Sequence, residues 1–405
     1  MYVGNKNFIN LSSSRFSNFI EDDCLYVDKT AFIEHVLRDK SEVLLFTRPR
    51  RMGKSLNMDT LGSALKDNGS LGKAVLTGVT RVAKENMFSG LNNIRVYDVL
   101  KPGVYDGDFS LTEGELLELV PEGEIAGVRR WYNNMRVGDT WLYNIYSVMN
   151  YLSDPERRLM GYWSMSGSDD LLSSLLTDAR AEAISNMFSD GAYRHATVLD
   201  HQLNMEHLRD VSRCSDVSFY TLAVQAGYLT FEPMGPGGYE VFIPNEEAKR
   251  VWARLLLDYR YEGADNRLYT IFADIGNVEA FSKQLTEFVS MVLSYNDFKE
   301  SAEWVYHVFF LGLVYSLGYE CKSNLEAGLG RFDIAMKSPK FAAVIEFKVS
   351  GDDDDKAMQA GVKEALAQID EKEYWWEFRN SGLPVYKIGI SCHGKKCLAG
   401  TVLHV

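Results

Sequence analysis

Residues 328–350, GLGRFDIAMKSPKFAAVIEFKVS, constrain this chain more than any other stretch. They read as a β-hairpin, with one strand over 331–336, a turn through 337–340 and a second strand over 341–349. The second strand is apolar almost throughout, as a strand covered on both faces should be. Yet its middle carries Glu346 and Lys348. Side chains alternate along a strand, so these two share one face and Phe347 takes the other. On the first strand Asp333 shares a face with Arg331 and Ala335. Burying two carboxyls beside one lysine costs several kcal/mol unless something compensates them. A divalent cation held by Asp333 and Glu346 would do so.

An Asp followed on the next strand by Glu-x-Lys resembles the core of the PD-(D/E)XK nucleases. The resemblance implies that Asp333 and Glu346 hold Mg²⁺ or Mn²⁺ through hard oxygen ligands, helped by the Phe347 carbonyl. It implies that Lys348 orients or deprotonates the attacking water and stabilises charge on the phosphate. It also places Glu303, at the start of a helical face shared with Tyr306, His307 and Phe310, beside the metal. Gln368, on a helix expected over 359–371, is brought towards the site by the same resemblance. The substrate implied is nucleic acid, DNA in the first place. The competing reading of the bare pattern is an ordinary hairpin with one polar face.

A second stretch precedes it, CLYVDKTAFIEHVLRDKSEVLLFTRPRRMGKSLNMDT over residues 24–60. A helix over about 29–38, a short buried strand at 43–46, the loop TRPRRMGKS and a helix follow the order of a phosphate-binding P-loop. Gly53, Lys54 and Ser55 fit the end of that motif, and Arg48 stands where its first glycine belongs. The wording of this stretch resembles the bacterial AAA-ATPase-like proteins that carry a C-terminal PD-(D/E)XK domain. Residues 73–93, 131–152, 162–172, 226–252 and 306–324 extend the resemblance over most of the chain. It implies a cofactor site for ATP at Arg51, Gly53, Lys54 and Ser55, where the shortening of the domain leaves binding weak or absent. Only some twenty residues separate Lys54 from the next strand at 74–78, and their acids, Asp59 and Asp67, follow no apolar strand. The Walker B segment that holds Mg²⁺ in an ATPase is missing from that interval. ATP hydrolysis is not expected.

These readings give an α/β protein in three parts. A truncated P-loop-like αβ region spans 1–103, and a helical, winged-helix-like middle spans 104–260. A restriction-endonuclease-like αβ core of the PD-(D/E)XK kind spans 261–405. In the middle part, a helix followed by strands around a Gly-Pro-Gly-Gly turn at 235–238 supplies the winged-helix order. The acidic run at 352–355 is expected to be a solvated loop, a last strand is expected over 386–391, and Cys392, His393 and Cys397 fall short of a zinc ligand set. A net charge of −13 argues against a protein that coats nucleic acid nonspecifically, though not against a local basic groove. No apolar run is long enough to cross a membrane. Five scattered cysteines and an N-terminus without an apolar signal core point to the cytoplasm. The sequence leaves a homo-oligomer open. A rival class is a non-catalytic nucleotide-sensing or partner-binding protein in which both enzymatic halves have decayed.

Overall fold

The computed structural model describes the chain apart from residues 1, 7, 66–72, 81, 84–93, 102, 164–168, 189–192, 205, 261–270, 273–274, 293–309, 311–313, 315–318, 324–325, 328–329, 332, 395 and 405. It divides into two compact units, one of residues 1–177 with 194–251 and one of residues 178–193 with 252–405. Helices and sheets alternate in both, so the class is α/β.

In the first unit, β1 (Val43–Thr47) is buried at all five positions. It forms the centre of a three-stranded parallel sheet, between β2 (Ala74–Gly78) and β3 (Ile94–Tyr97). A parallel central strand has no solvent face, which is why Val43-Leu44-Leu45-Phe46 is apolar without alternation. Phe46 packs among Phe32, Tyr105 and Phe109, rings 4.7 to 5.5 Å apart, in a core completed by Val36, Leu44 and Leu61. The chain leaves β1 through the loop 48–53 and enters α1 (Lys54–Ala64).

Further on, Thr112 caps the helix Glu113–Leu119, and Glu115 returns the bond to the Thr112 N–H, closing a capping box. A three-stranded antiparallel sheet then joins β4 (His195–Thr197), β5 (Thr230–Gly235) and β6 (Gly238–Phe242), with β6 in the middle. Between β4 and β5 runs α2 (Asp216–Ala226), which Ser215 caps and Gly227 terminates at φ 90°. Helix, strand, turn and strand follow in the order read from the sequence.

The second unit is built on a mixed five-stranded sheet. Its order is β7 (Glu320–Ser323), β8 (Ile334–Lys337), β9 (Ala342–Val349), β10 (Val385–His393) and β11 (Lys396–His404). All pairs are antiparallel except β9 with β10. The helix α3 (Val278–Val292) packs on β11, and its Thr286 hydroxyl donates to the Cys397 carbonyl. The helix α4 (Asp355–Glu371) crosses β9 and β10.

Three sequence expectations change here. The first strand of the hairpin is shorter than 331–336: Gly330–Arg331 pairs with Glu326–Ala327 instead, and Asp333 lies in a bend just ahead of β8. The acidic run ends in structure: the Asp354 carboxylate caps α4 by accepting from the Lys356 and Ala357 N–H groups, and Asp355 opens the helix. Negative charge at a helix N-terminus is stabilising, which the reading as a loop overlooked. The strand expected over 386–391 is longer and is followed by β11, which pairs with it along nine residues.

Candidate nuclease centre and phosphate loop

The C-terminal centre is set by where strand pairing stops. The β8–β9 ladder ends at Ile334 opposite Ile345, while β9 continues against β10 as far as Val349 opposite Cys392. From Glu346 onward, β9 therefore has no ladder partner on its β8 side among the described residues. Asp333 fills that gap: its carboxylate accepts the Phe347 N–H at 2.8 Å, and its own N–H lies 3.4 Å from a Glu346 carboxylate oxygen. The N–H and C=O of one strand residue project towards the same edge, so the Phe347 carbonyl faces Asp333 as well. Two carboxylates and a carbonyl thus converge where the hairpin opens. Phe347 itself turns to the other face and stacks on Phe310 at 4.8 Å.

Glu346 is 3% exposed. Its carboxylate accepts from the Gln368 side-chain amide, and the Gln368 carbonyl oxygen accepts from the Lys348 ammonium at 2.6 Å. The ammonium lies 3.9 Å from both Glu346 and Glu364. Gln368 therefore bridges the acid and the base of the Glu-x-Lys pair. Tyr374 stands behind it, hydrogen-bonded to Gln368 in a buried position that pushes its phenol above the ordinary value, with Glu346 and Asp333 adding to the shift. Sequence reasoning carried over Gln368 and passed over Tyr374 because the spacing between them is wide. The structure shows why the wide spacing serves: α4 ends at Glu371, and a short 3₁₀ turn over Tyr374–Phe378 folds back onto β9.

Close helix–sheet contact makes this bridge reachable. A Cβ on Gly389, the β10 residue opposite Glu346, would sit 2.7 Å from the Val362 carbonyl on α4. A backbone atom cannot step aside, so only glycine lets α4 approach far enough for Gln368 to reach across. Of the five residues proposed for the centre, Asp333, Glu346, Lys348 and Gln368 come together; Glu303 lies outside the described residues.

Burial pushes the Asp333 carboxyl above its usual range, partly offset by the Phe347 N–H and Lys348. Because the folded value exceeds the unfolded one, stability is lost as pH rises from the ordinary carboxylate range through the raised value. Asp333→Asn accordingly stabilises the metal-free protein at neutral pH, and the gain over wild type disappears below about pH 4. Urea unfolding with chelator across this range measures it. Equal stability at all pH values would mean that the carboxyl is not strained.

The N-terminal loop has its own geometry. Gly53 sits at φ 75° and Arg51 at φ 62°, the latter a left-handed backbone that a branched-out side chain adopts only at a cost. Arg48 is fully buried, donating to the carbonyls of Thr47 and Tyr97 and lying over the Phe109 ring. Burial pulls its guanidinium down to about 10, while Asp106, Asp98 and Asp108 keep it charged. Lys54 donates to the carbonyls of Arg48 and Pro49, and burial beside Arg48 and Arg50 lowers its ammonium to about 8.

In front of this loop lies a cavity of about 390 Å³ whose lining includes Arg51, Gly53, Lys54 and Ser55, the four residues expected to hold a cofactor. A strand ending in an acid does exist beside β1, but later than the interval searched. It is β3, followed by Asp98, which binds the Leu100 N–H and His201 rather than facing the cavity.

Both arrangements fall within segments that match known families. Residues 301–401 match the family model described as the PD-(D/E)XK nuclease superfamily. The C-terminal part is a PD-(D/E)XK domain. Residues 11–69 match the family model described as a predicted AAA-ATPase, so the chain joins an AAA-ATPase-like segment to that domain. A protein of Azotobacter chroococcum mcd 1, described as an uncharacterized protein in the vnfD 5′ region, is 25% identical over 350 residues. The match covers 82% of this chain and 63% of that relative, so the chain spans less than two thirds of its length. The PD-(D/E)XK domain covers the whole described centre, and the AAA-ATPase-like segment covers β1, the loop and α1.

Proposed function

We propose that the PD-(D/E)XK domain hydrolyses phosphodiester bonds of nucleic acid, DNA in the first place, with Mg²⁺ or Mn²⁺ at Asp333 and Glu346. The observation that carries this reading is the convergence of two buried carboxylates with Lys348 where the β8–β9 ladder ends. These residues fit a hard divalent cation. They offer oxygen donors only, and burial raises the Asp333 carboxyl, a cost that a bound cation would offset. Such a cation, when bound, polarises a phosphate oxygen and lowers the pKa of a water. Lys348 holds its ammonium towards that water and the phosphate, Gln368 fixes the ammonium relative to Glu346, and Tyr374 fixes Gln368. Glu303 is proposed as a further carboxylate of the same centre. Among the described residues of the cluster none is a serine, cysteine or threonine, and direct attack by water is the route these residues serve.

The test is incubation of the protein with linear and circular DNA and Mn²⁺ or Mg²⁺, alongside thermal unfolding with and without the metal. Cleavage is expected with metal and none with chelator. A metal at a hundred times its dissociation constant adds about 2.7 kcal/mol of stability, visible as a higher melting temperature. A folded protein that neither cuts nor responds to metal would sink the nuclease reading and leave a non-catalytic binding protein.

The cavity at the start of α1 favours a second reading for the N-terminal segment: it binds a nucleotide through Arg51, Gly53, Lys54 and Ser55 without hydrolysing it. In this reading the segment senses a nucleotide beside a nuclease.

A further inference from the structure

We infer that the cavity before α1 takes an oligophosphate, free or as part of a nucleotide, as the bare anion and without a divalent cation. The inference rests on the second reading above and departs from what an AAA-ATPase-like segment implies, because the residues present do not fit Mg²⁺. In phosphate sites Mg²⁺ is held by one or two carboxylates together with the phosphates. Among the described residues that line the cavity, none is Asp or Glu.

The acids of the surrounding framework are committed elsewhere. Asp59, on α1, accepts the Phe16 N–H at 2.6 Å. Asp98 binds the Leu100 N–H and lies 2.6 Å from His201, and Asp108 lies 2.8 Å from His35. Glu115 is held by Lys29 at 2.6 Å. Asp98 and Asp108 also face the buried Arg48, the residue standing where a phosphate loop has its first glycine. A guanidinium therefore occupies the end of the parallel sheet as a fixed cation.

What the cavity offers instead is positive charge and donors. Arg51 and Lys54 both line it, as do the hydroxyls of Ser13, Ser14 and Ser55 and the N-terminus of an eleven-residue helix. The Arg51 guanidinium is set 4.6 Å over the Tyr146 ring, which also lines the cavity, and its backbone is held at positive φ. An arginine kept in a costly conformation at a cavity wall is what a ligand contact explains. An oligophosphate would replace the two backbone carbonyls that Lys54 now serves. Two protein cations and a helix N-terminus then do what a metal does in a hydrolytic site, neutralising charge without activating water. Since Mg²⁺ removes two negative charges from the ligand, it competes with the cavity for the phosphates rather than assisting.

Equilibrium dialysis or calorimetry with ATP and with tripolyphosphate, each in chelator and in excess Mg²⁺, tests this. The expected result is binding in chelator at least as tight as in Mg²⁺, with excess Mg²⁺ weakening it severalfold. Arg51→Gly removes the cation while relieving the left-handed backbone, so it should weaken binding about tenfold or more without lowering the melting temperature. Binding of both ligands assigns recognition to the phosphates, and binding of ATP alone adds a base contact; both support the inference. Binding that needs Mg²⁺ overturns the inference and leaves the nucleotide reading standing. No binding under either condition, by a protein that still melts cooperatively, overturns both.

Discussion

Under the proposed nuclease function, Lys348→Met is expected to lower the rate of phosphodiester cleavage by about 10²- to 10⁴-fold, the usual worth of a positioned proton-transfer or charge-stabilising group. The substitution keeps the length and apolar stem of the side chain and removes the ammonium that donates to Gln368 and lies 3.9 Å from Glu346. Metal binding should persist within a few fold, because the carboxylates are untouched. Glu346→Gln separates the roles from the other side. It keeps the shape but removes a hard anionic ligand, so both the metal-dependent rise in melting temperature and the cleavage disappear. A Lys348→Met enzyme that cuts at the wild-type rate would remove the lysine from the chemistry. Retention of the thermal response in Glu346→Gln would place the metal somewhere else.

Arg48→Met destabilises the first unit by about 3–5 kcal/mol, the cost of removing one partner from a buried charge cluster. Methionine fills the stem volume but leaves Asp98, Asp106 and Asp108 buried without their shared cation. Burial already pushes the carboxyls of Asp106 and Asp108 upward, with Arg48 among the groups that oppose the shift. Removing it raises them further. Their contribution is lost as pH rises through the raised values, so the destabilisation is larger at neutral pH than at pH 4. The urea midpoint of the first unit, followed at both pH values, measures the difference. A change below about 1 kcal/mol would show that the three acids find other partners, as the His35 and His201 contacts of Asp108 and Asp98 would then have to provide.

Much of this was legible in the sequence, for particular reasons. Glu346 and Lys348 stand out because β9 is otherwise apolar and strand alternation gives them one face. The strand–loop–helix order at 43–64 is legible because β1 is short, apolar and followed by Gly-Lys-Ser. What escaped depends on long-range pairing. That Asp333 lies in a bend rather than in a strand follows from Gly330–Arg331 choosing Glu326–Ala327 as partner. Local propensity carries no trace of such a choice. Asp98 was missed because the search for a strand-ending acid stopped at the usual chain distance, whereas β3 reaches β1 from further along the chain. Tyr374 was missed because a 3₁₀ turn, not the helix, returns it to the centre. In the sequence Arg48 stood out only as the residue in place of the loop's first glycine. Only the structure reveals it as fully buried, with its counter-charges drawn from residues fifty and more positions away.

The eight consecutive pairs that tie Ala342–Val349 to β10 also act as a vernier. Faces alternate with a period of two, so a slip of one residue would turn Phe347 towards Gln368 and drive Glu346 and Lys348 onto the side where Phe310 packs. No graded loss exists between the two settings. Misfolding and loss of the centre are therefore one event at this strand, and under the proposed function the specific activity of a preparation would count the molecules that closed the ladder in register.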